Sequence, residues 1–222
     1  MPVHLVVKTE HGWRERGIGL SGLSARNFVF RDHPCEQWLL DQIPDANALP
    51  IGYETEVHPV STGFMRSLAN MMSAGYEVSG QGSAAILIDY GFPAREYYLD
   101  QRDHGTLMCH YRHHAHDDVF YLPGLQDITS HVDFTAIARA AIEGGLDMLG
   151  YYSQAAFLLE AGLGDLLTRI AADDASRYLP QANAVQKLTS PAEMGELFKV
   201  LVVGTKLDLP DRYARHDRGH RL

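Results

Sequence analysis

The chain has 222 residues, and 45% of them are hydrophobic. This composition suits one folded domain with a core and excludes a chain that is disordered throughout. The formal net charge of −9 argues against nonspecific binding to nucleic acid or anionic membranes as the main function. No stretch approaches the roughly 18 apolar residues of a membrane span, and the N-terminus resembles no targeting signal. The two cysteines lack metal-ligand spacing, which favours free thiols in a reducing compartment such as the cytoplasm.

The N-terminal quarter predicts a β-hairpin followed by irregular chain. Val3–Thr9 reads as a strand, and Trp13–Leu20 reads as the strand that returns after a turn. Residues 21–50 contain three prolines, so we predict no regular structure there. Residues 1–50 are therefore expected to form an excursion from the main domain.

Residues 51–210 predict an α/β core. Apolar periodicity and capping signals give, in chain order, a helix over 63–74, a strand over 84–88, a helix after His131, a strand over 146–152, helices over 154–161 and 164–172, a helix from the capping box at 190–193, and a strand over 198–203. This alternation is typical of layered α/β folds. The unbroken apolar run 84–88 predicts burial on both faces, as in parallel sheets. Residues 211–222 carry four arginines and predict a mobile polar tail.

Two sequence motifs suggest ligand binding, but neither lies in the secondary-structure context that such binding requires. Residues 17–22 match G-x-G-x-x-G, but no strand-to-helix junction surrounds them, so we interpret them as a glycine-rich turn. Residues 110–118 contain four histidines and two aspartates, which could bind zinc. Since no helical periodicity surrounds them, we favour a solvated loop; a metal-dependent hydrolase is the alternative.

The strand that ends in Asp89-Tyr90-Gly91 predicts the wall of a site, because ligands in α/β sheets bind beyond the carboxyl ends of strands. Asp89 and Tyr90 are the first catalytic candidates, although an aspartate there can equally cap a turn.

A second polar segment follows, and it contributes Gln126, Asp127, His131 and Asp133. His131 and Asp133 are two residues apart, so in an extended segment they face the same way, and a carboxylate beside an imidazole suits proton removal. The alternatives are a hydrogen-bonding histidine and a helix cap at Asp133. Gln126 and Asp127 are candidates for substrate binding. So is Glu56, which otherwise is surface charge ahead of a helix.

Several of these segments together resemble one family. The ordered series covers residues 86–163 and comprises ILIDYG, Tyr97, Arg102, Gly105-Thr106-Leu107, Tyr111-Arg112, PGLQDITSHVDF and YYSQAAFLLEAGL. It resembles the MidA-like group of class I S-adenosylmethionine-dependent methyltransferases, which includes a mitochondrial assembly factor of respiratory complex I.

The resemblance implies a Rossmann-like methyltransferase fold, S-adenosylmethionine as cosubstrate, and a protein substrate. For the mitochondrial member the acceptor is an arginine side chain, which suggests a respiratory-complex subunit as partner and the mitochondrial matrix as location in a eukaryote. Methyl transfer from a sulfonium is an in-line displacement, so carboxylates would hold the guanidinium while a base accepts its proton.

This chain departs from the family pattern at its start. Family members carry a glycine-rich loop, an acidic residue for the ribose and an Asn-Glu-Phe type segment ahead of the part that resembles Pro2-Val3-His4. We therefore expect the C-terminal portion of the fold, and weak donor binding by this chain alone. A non-catalytic interaction module derived from the same fold is the alternative function.

Overall fold

A computed structural model describes residues 1–22, 27–170 and 174–222. Its strands are β1 His4–Thr9, β2 Gly12–Leu20, β3 Phe28–Pro34, β4 Glu54–Val57, β5 Ser83–Phe92, β6 Met108–Tyr111, β7 His114–His116, β8 Asp127–Thr129, β9 Val132–Asp133, β10 Asp147–Ser153 and β11 Phe198–Thr205. Its helices are α1 Gln37–Leu40, α2 Pro59–Ser79, α3 Ala94–Tyr97, α4 Phe134–Glu143, α5 Gln154–Glu160, α6 Leu163–Thr168, α7 Ala175–Thr189 and α8 Met194–Leu197.

The strands form three sheets. The first has the order β3-β2-β1-β4 and is antiparallel throughout, so the predicted hairpin is present and extends on both sides. The second has the order β10-β11-β5-β9, with only the short β5–β9 pair parallel. The third, β7-β6-β8, is a small antiparallel sheet. The predicted α/β class is correct. Strand β4 pairs with β1, so residues 54–57 belong to the first sheet rather than to the second.

Strand β5 organises the second sheet and differs from its prediction. It pairs with β11 over residues 83–90, whereas β9 pairs only with Gly91 and Phe92 on the other edge. The prediction of burial on both faces is wrong, because Ile86 is 54% exposed and Ile88 47% exposed. Their neighbours Ala85 and Leu87 pack on the core cluster, so β5 alternates between a covered face and an open one.

Two helices cover one face of the second sheet, and local signals define their ends. Helix α2 has Pro59 at its first position and ends at Gly80, whose φ of +68° is the left-handed conformation that suits glycine. Helix α4 begins after Asp133, whose carboxylate accepts hydrogen bonds from Thr135 N and Ala136 N. Helix α2 extends beyond the predicted 63–74 at both ends, because its first turn lacks the apolar spacing used to find it and because Gly75, interpreted as its end, lies inside the helix.

The core lies between these helices and the sheet. Its fully buried members include Met65 and Ala69 of α2, Phe134 of α4, and Tyr151 and Leu201 of the sheet. A second cluster fills the space under the first sheet, around Val6, Leu39, Tyr53 and Val57. A third cluster covers the opposite face of β10 and β11, where Tyr152, Val200, Val202, Phe157 and Tyr213 meet.

Two predictions of local structure are wrong for reasons that lie in pairing and packing. Residues 28–34, predicted irregular, form edge strand β3, since β2 supplies hydrogen-bond partners along all seven residues. The predicted capping box at 190–193 caps nothing, because Ser190 ends α7 and α8 begins only at Met194. Helix α7 itself was not predicted, and it contains Pro180, a residue that argues against a helix interior.

The arginine-rich C-terminus is docked, contrary to the mobile tail that we predicted. Two short 3₁₀ helices cover Asp211–His216 and Gly219–Arg221. Arg218 forms a two-point ion pair with Glu196, Arg221 bonds Glu96, and Leu222 packs against the core. Arg218 and Arg221 have specific carboxylate partners, which composition alone does not reveal.

Some predictions concern residues 23–26 and 171–173, which lie outside the described ranges. They include part of the segment after the glycine motif and the predicted end of a helix at Ala172. None of the helices in the described ranges combines the length and apolar content needed to cross a bilayer.

Candidate functional site

A cavity of about 720 Å³ lies beside the carboxyl-terminal half of β5. Its walls come from the chain start, the beginning of α2, β5 and the segment that joins β8 to α4. The polar side chains that line it are His58, Ser61, Asp89, Tyr90, Asp127, Thr129, Ser130 and His131. The volume falls in the range typical of small-molecule and cofactor sites.

Asp89 and Tyr90 both line this cavity, as the position of the strand predicted. Asp89 is exposed, and one of its carboxylate oxygens accepts a hydrogen bond from Tyr90 N at 2.8 Å. Its cross-strand neighbour is Lys199, but the ammonium of Lys199 donates to the carbonyl oxygens of Glu196 and Leu197. The carboxylate of Asp89 therefore remains accessible to a ligand in the cavity.

His131 lines the same cavity, and its imidazole contacts two aromatic rings. Its imidazole stacks on Phe92 with ring centroids 5.1 Å apart and an interplanar angle of 12°. Tyr90 meets the imidazole edge-on at 5.1 Å, and the guanidinium of Arg102 lies 4.1 Å from the centre of the Phe92 ring. Burial, followed by the charge of Arg102, lowers the pKa of His131, so the ring is neutral at physiological pH.

Asp133 does not share the cavity with His131, and the predicted side-by-side arrangement is wrong. The carboxylate of Asp133 is buried and caps α4 through bonds of 3.0 Å to Thr135 N and 3.1 Å to Ala136 N. Burial raises the pKa of Asp133 to about 6, although the two backbone donors oppose that rise. The helix-cap alternative is thus the geometry that the chain adopts.

Glu56 is neither surface charge nor in contact with the cavity, so it is not placed to bind substrate. Its side chain is 0% exposed. One carboxylate oxygen accepts hydrogen bonds from Thr106 N and Leu107 N, both at 2.8 Å. The other accepts from the Tyr97 hydroxyl at 2.7 Å and the Thr106 hydroxyl at 3.0 Å. The loop approaches closely at Gly105, where a Cβ would lie 2.5 Å from the carboxylate.

His58, which the sequence analysis did not select, lies between this buried cluster and the cavity. Its Nε2 is 2.9 Å from the Tyr97 hydroxyl, and its ring also lines the cavity. Burial lowers the pKa of His58 to about 4. The signal was available, because His58 follows directly on strand β4 and precedes a proline at the start of a helix.

Of the two residues predicted to bind substrate in this segment, Asp127 lines the cavity and Gln126 does not. Asp127 lies on β8, is exposed and lines the cavity. Gln126 does not line it, because its amide nitrogen donates to the carbonyls of Val119 at 2.8 Å and Asp118 at 3.3 Å. Gln126 thus fixes its own loop.

The two motifs that were set aside also have definite positions. Gly17 and Gly19 lie within strand β2, which includes the strand predicted over 13–20, and only Ser21 and Gly22 of the motif form the bend after it, so the glycine motif does not face a helix N-terminus. His110 and His114 lie on the β6–β7 hairpin rather than on a helix. Among the described residues, no group of three or more histidine, cysteine, aspartate or glutamate side chains is placed to hold a metal ion.

Comparison with known proteins identifies the class. Residues 1–152 match the family described as "Putative S-adenosyl-L-methionine-dependent methyltransferase". The match covers more than half of the chain, and the chain belongs to this family.

Particular relatives agree with that class. A Burkholderia thailandensis protein solved bound to S-adenosyl-homocysteine superposes with a TM-score of 0.89 at 48% identity, over 100% of this chain and 55% of its own. The mitochondrial protein arginine methyltransferase NDUFAF7 of Rattus norvegicus is 30% identical over 89% of this chain and 42% of its own length. Its Bos taurus counterpart is 30% identical over 91% and 42%.

These figures confirm the predicted family and the methyltransferase-like α/β fold. They also show that the chain spans about half the length of the proteins that it resembles.

Proposed function

We propose that this chain forms the methyl-acceptor side of an S-adenosylmethionine-dependent methyltransferase, and that its acceptor is an arginine side chain of a protein partner. Family membership supports the reaction class. The relatives named as mitochondrial protein arginine methyltransferases support the acceptor, and the family resemblance of residues 86–163 suggests a respiratory-complex subunit as partner. The observation that carries the proposal is the composition of the cavity wall, which contains two exposed carboxylates, Asp89 and Asp127, together with the aromatic side chains of Tyr90 and His131.

The wall suits a guanidinium. Asp89 and Asp127 offer carboxylate oxygens, and among the described residues no lysine or arginine side chain lines the cavity. Carboxylates bind the planar guanidinium through parallel hydrogen bonds. The faces of Tyr90 and His131 add aromatic surface on which such a group can stack. Together these residues can hold an arginine side chain in one orientation.

The same residues can take up the proton that methylation releases. A guanidinium nitrogen must lose a proton as its new bond forms, and a carboxylate in contact with it is the simplest acceptor. Asp89 is exposed and unpaired by any cation in the described part of the chain, so it is our first candidate. His131, neutral because its pKa is lowered, is the second.

The described residues do not form a complete binding site for the methyl donor. Its family-typical site needs a glycine-rich loop between a strand and a helix, and the glycine motif of this chain lies within β2. We therefore derive only the acceptor-side chemistry from these residues, with S-adenosylmethionine as the cosubstrate that the solved relative's bound product suggests.

Transfer of a radiolabelled methyl group tests the proposal. The purified chain is incubated with labelled donor and an arginine-rich protein, alongside Asp89→Asn and the matched control Asp147→Asn, an exposed acid on β10 away from the cavity. We expect Asp89→Asn to lose about 10-fold or more of the activity, since a charge-assisted hydrogen bond contributes about 1.5–3 kcal/mol. Asp147→Asn should retain the wild-type rate. Equal and measurable rates in all three would remove Asp89 from the site.

An interaction module is the second candidate, and the open edge of β5 favours it. In the described part of the chain, residues 83–90 have a strand partner on one edge only, and Ile86 and Ile88 are exposed beside that edge. Unpaired strand edges of this kind accept a further strand from another protein.

Calorimetry separates the two functions. Heat of binding with S-adenosyl-homocysteine supports the methyltransferase. Absence of heat at millimolar ligand, absence of methyl transfer and a cooperative unfolding transition would together reject it and favour the module.

A further inference from the structure

We propose that Glu56 is a positioning residue that holds both cavity histidines, His58 and His131, through two hydrogen-bonded arms that start from one of its carboxylate oxygens. The sequence suggested that Glu56 contacts substrate, and its complete burial excludes that. The inference rests on the proposed function only in taking the cavity as the acceptor site. The hydrogen-bond geometry stands independently.

The first arm runs through Tyr97 to His58. The Tyr97 hydroxyl has one proton, and it donates that proton to Glu56 at 2.7 Å. Burial and the negative charge of Glu56 raise the pKa of Tyr97 well above its usual value, so the hydroxyl remains protonated. Its oxygen can then only accept from the imidazole of His58, 2.9 Å away at Nε2.

This polarity fixes the tautomer of His58. Nε2 must carry the proton, and because the ring is neutral, Nδ1 has a free lone pair. Since His58 lines the cavity, that lone pair is available to accept a hydrogen bond from an N–H group of a bound ligand. A guanidinium has several such groups. Glu56 thus sets the hydrogen-bonding character of a cavity residue that it does not touch.

The second arm runs through Thr106 to His131. The Thr106 hydroxyl donates to Glu56 at 3.0 Å, and its oxygen accepts from the backbone N–H of His131 at 3.0 Å. Glu56 also accepts from Thr106 N at 2.8 Å, so this residue is held at two points. The arm fixes the main chain of His131, and stacking on Phe92 then fixes its ring.

The Tyr97 and Thr106 hydroxyl oxygens lie 3.2 Å apart, but each has its own bond to Glu56 and can be removed by a nearly isosteric substitution. Tyr97→Phe removes the acceptor for His58, and Thr106→Val removes the acceptor for His131. Glu56→Gln weakens both. Thr55→Val is the matched control, because Thr55 precedes Glu56 on β4, is 1% exposed, and has a hydroxyl without a hydrogen-bond partner.

Nitrogen-15 NMR of the histidine rings in the whole chain at neutral pH measures the outcome. We expect His58 to carry its proton on Nε2 in the wild type and in Thr55→Val, and to lose this preference in Tyr97→Phe while His131 stays unchanged. Thr106→Val should change only the His131 resonances, because the main chain that holds the imidazole on the Phe92 ring has then lost its acceptor. Glu56→Gln should alter both histidines.

Two results would overturn the inference. One is an unchanged His58 tautomer in Tyr97→Phe. The other is an equal response of both histidines to each single-arm variant, as expected of general loosening. The two single-arm variants decide the matter even if Glu56→Gln does not fold. Because the measurement needs no turnover, its failure is distinct from a failure to observe methyl transfer.

Discussion

Asp89 lies on the strand wall of the cavity, and Glu56 lies in the buried cluster behind His58. These two carboxylates differ in exposure and in hydrogen bonding. Glu56 is 0% exposed and accepts four hydrogen bonds. Asp89 is exposed and accepts one local bond, from Tyr90 N. A buried carboxylate with four donors stabilises the fold and leaves nothing for a ligand, whereas an exposed one contributes little stability and stays available for chemistry. Exposure, rather than residue type, therefore separates scaffold from candidate site.

The largest expected effect is on stability and comes from the buried carboxylate. Glu56→Ala removes four hydrogen bonds and leaves buried backbone N–H groups without acceptors, so we expect a loss of about 3–5 kcal/mol in the free energy of unfolding. Asp89→Ala should stay within about 0.5 kcal/mol of the wild type, as exposed substitutions usually do. Denaturant titration measures both. Equal losses in the two variants would contradict the comparison.

A smaller effect depends on pH and comes from His58. The pKa of His58 is about 4 in the folded chain and 6.5 in the unfolded chain. As pH falls, the unfolded chain therefore takes up a proton first. The free energy of unfolding should decrease between pH 6.5 and pH 4, by up to about 3 kcal/mol. Denaturation midpoints of the wild type and His58→Gln, measured between pH 4 and 7, check this. The fall should be reduced in His58→Gln, and identical slopes in the two proteins would refute the expectation.

Asp133 acts in the opposite direction over the same range. Its pKa is about 6 when folded against 3.8 when unfolded, so the folded state holds its proton longer. Its contribution to stability is present below pH 3.8 and is lost as pH rises through 6. Asp133→Asn should therefore make the acid-induced fall from His58 steeper than in the wild type.

The smallest expected effect is the loss of the α4 cap. Asp133→Ala removes bonds to Thr135 N and Ala136 N, so we expect about 1–2 kcal/mol of destabilisation at neutral pH, while Asp133→Asn, which can still cap, should cost less. Thermal unfolding of the two variants gives the ranking. If asparagine were as costly as alanine, the cap would not be the source of the effect.

Local sequence signals predicted much of the fold. The hairpin of β1 and β2, helix α4 and strand β11 follow from apolar periodicity and capping residues, which depend on neighbours in the chain. Strand β3 was not predicted, because an edge strand depends on its partner β2 rather than on its own pattern. Helix α7 was missed because it buries none of its residues, so no apolar face marks it in the sequence, and because its interior contains Pro180.

The candidate site was predicted in part. Asp89, Tyr90, Asp127 and His131 line one cavity, because strand ends and the segments that follow them converge there. Asp133, Glu56 and Gln126 do not, and each bonds neighbouring backbone or side-chain donors and acceptors instead. A lone sequence cannot distinguish a carboxylate that faces a ligand from one that caps a helix, because both uses require the same residue type at an element boundary.

Apolar periodicity in the chain was enough to predict the α/β class and the strand whose end forms the cavity, and the ordered motifs over residues 86–163 were enough to recognise the family resemblance. Which polar residues are buried and which are open could be known only from the folded chain. Burial depends on contacts between distant segments, as when the loop at 105–107 closes over Glu56 and leaves Asp89 facing the cavity.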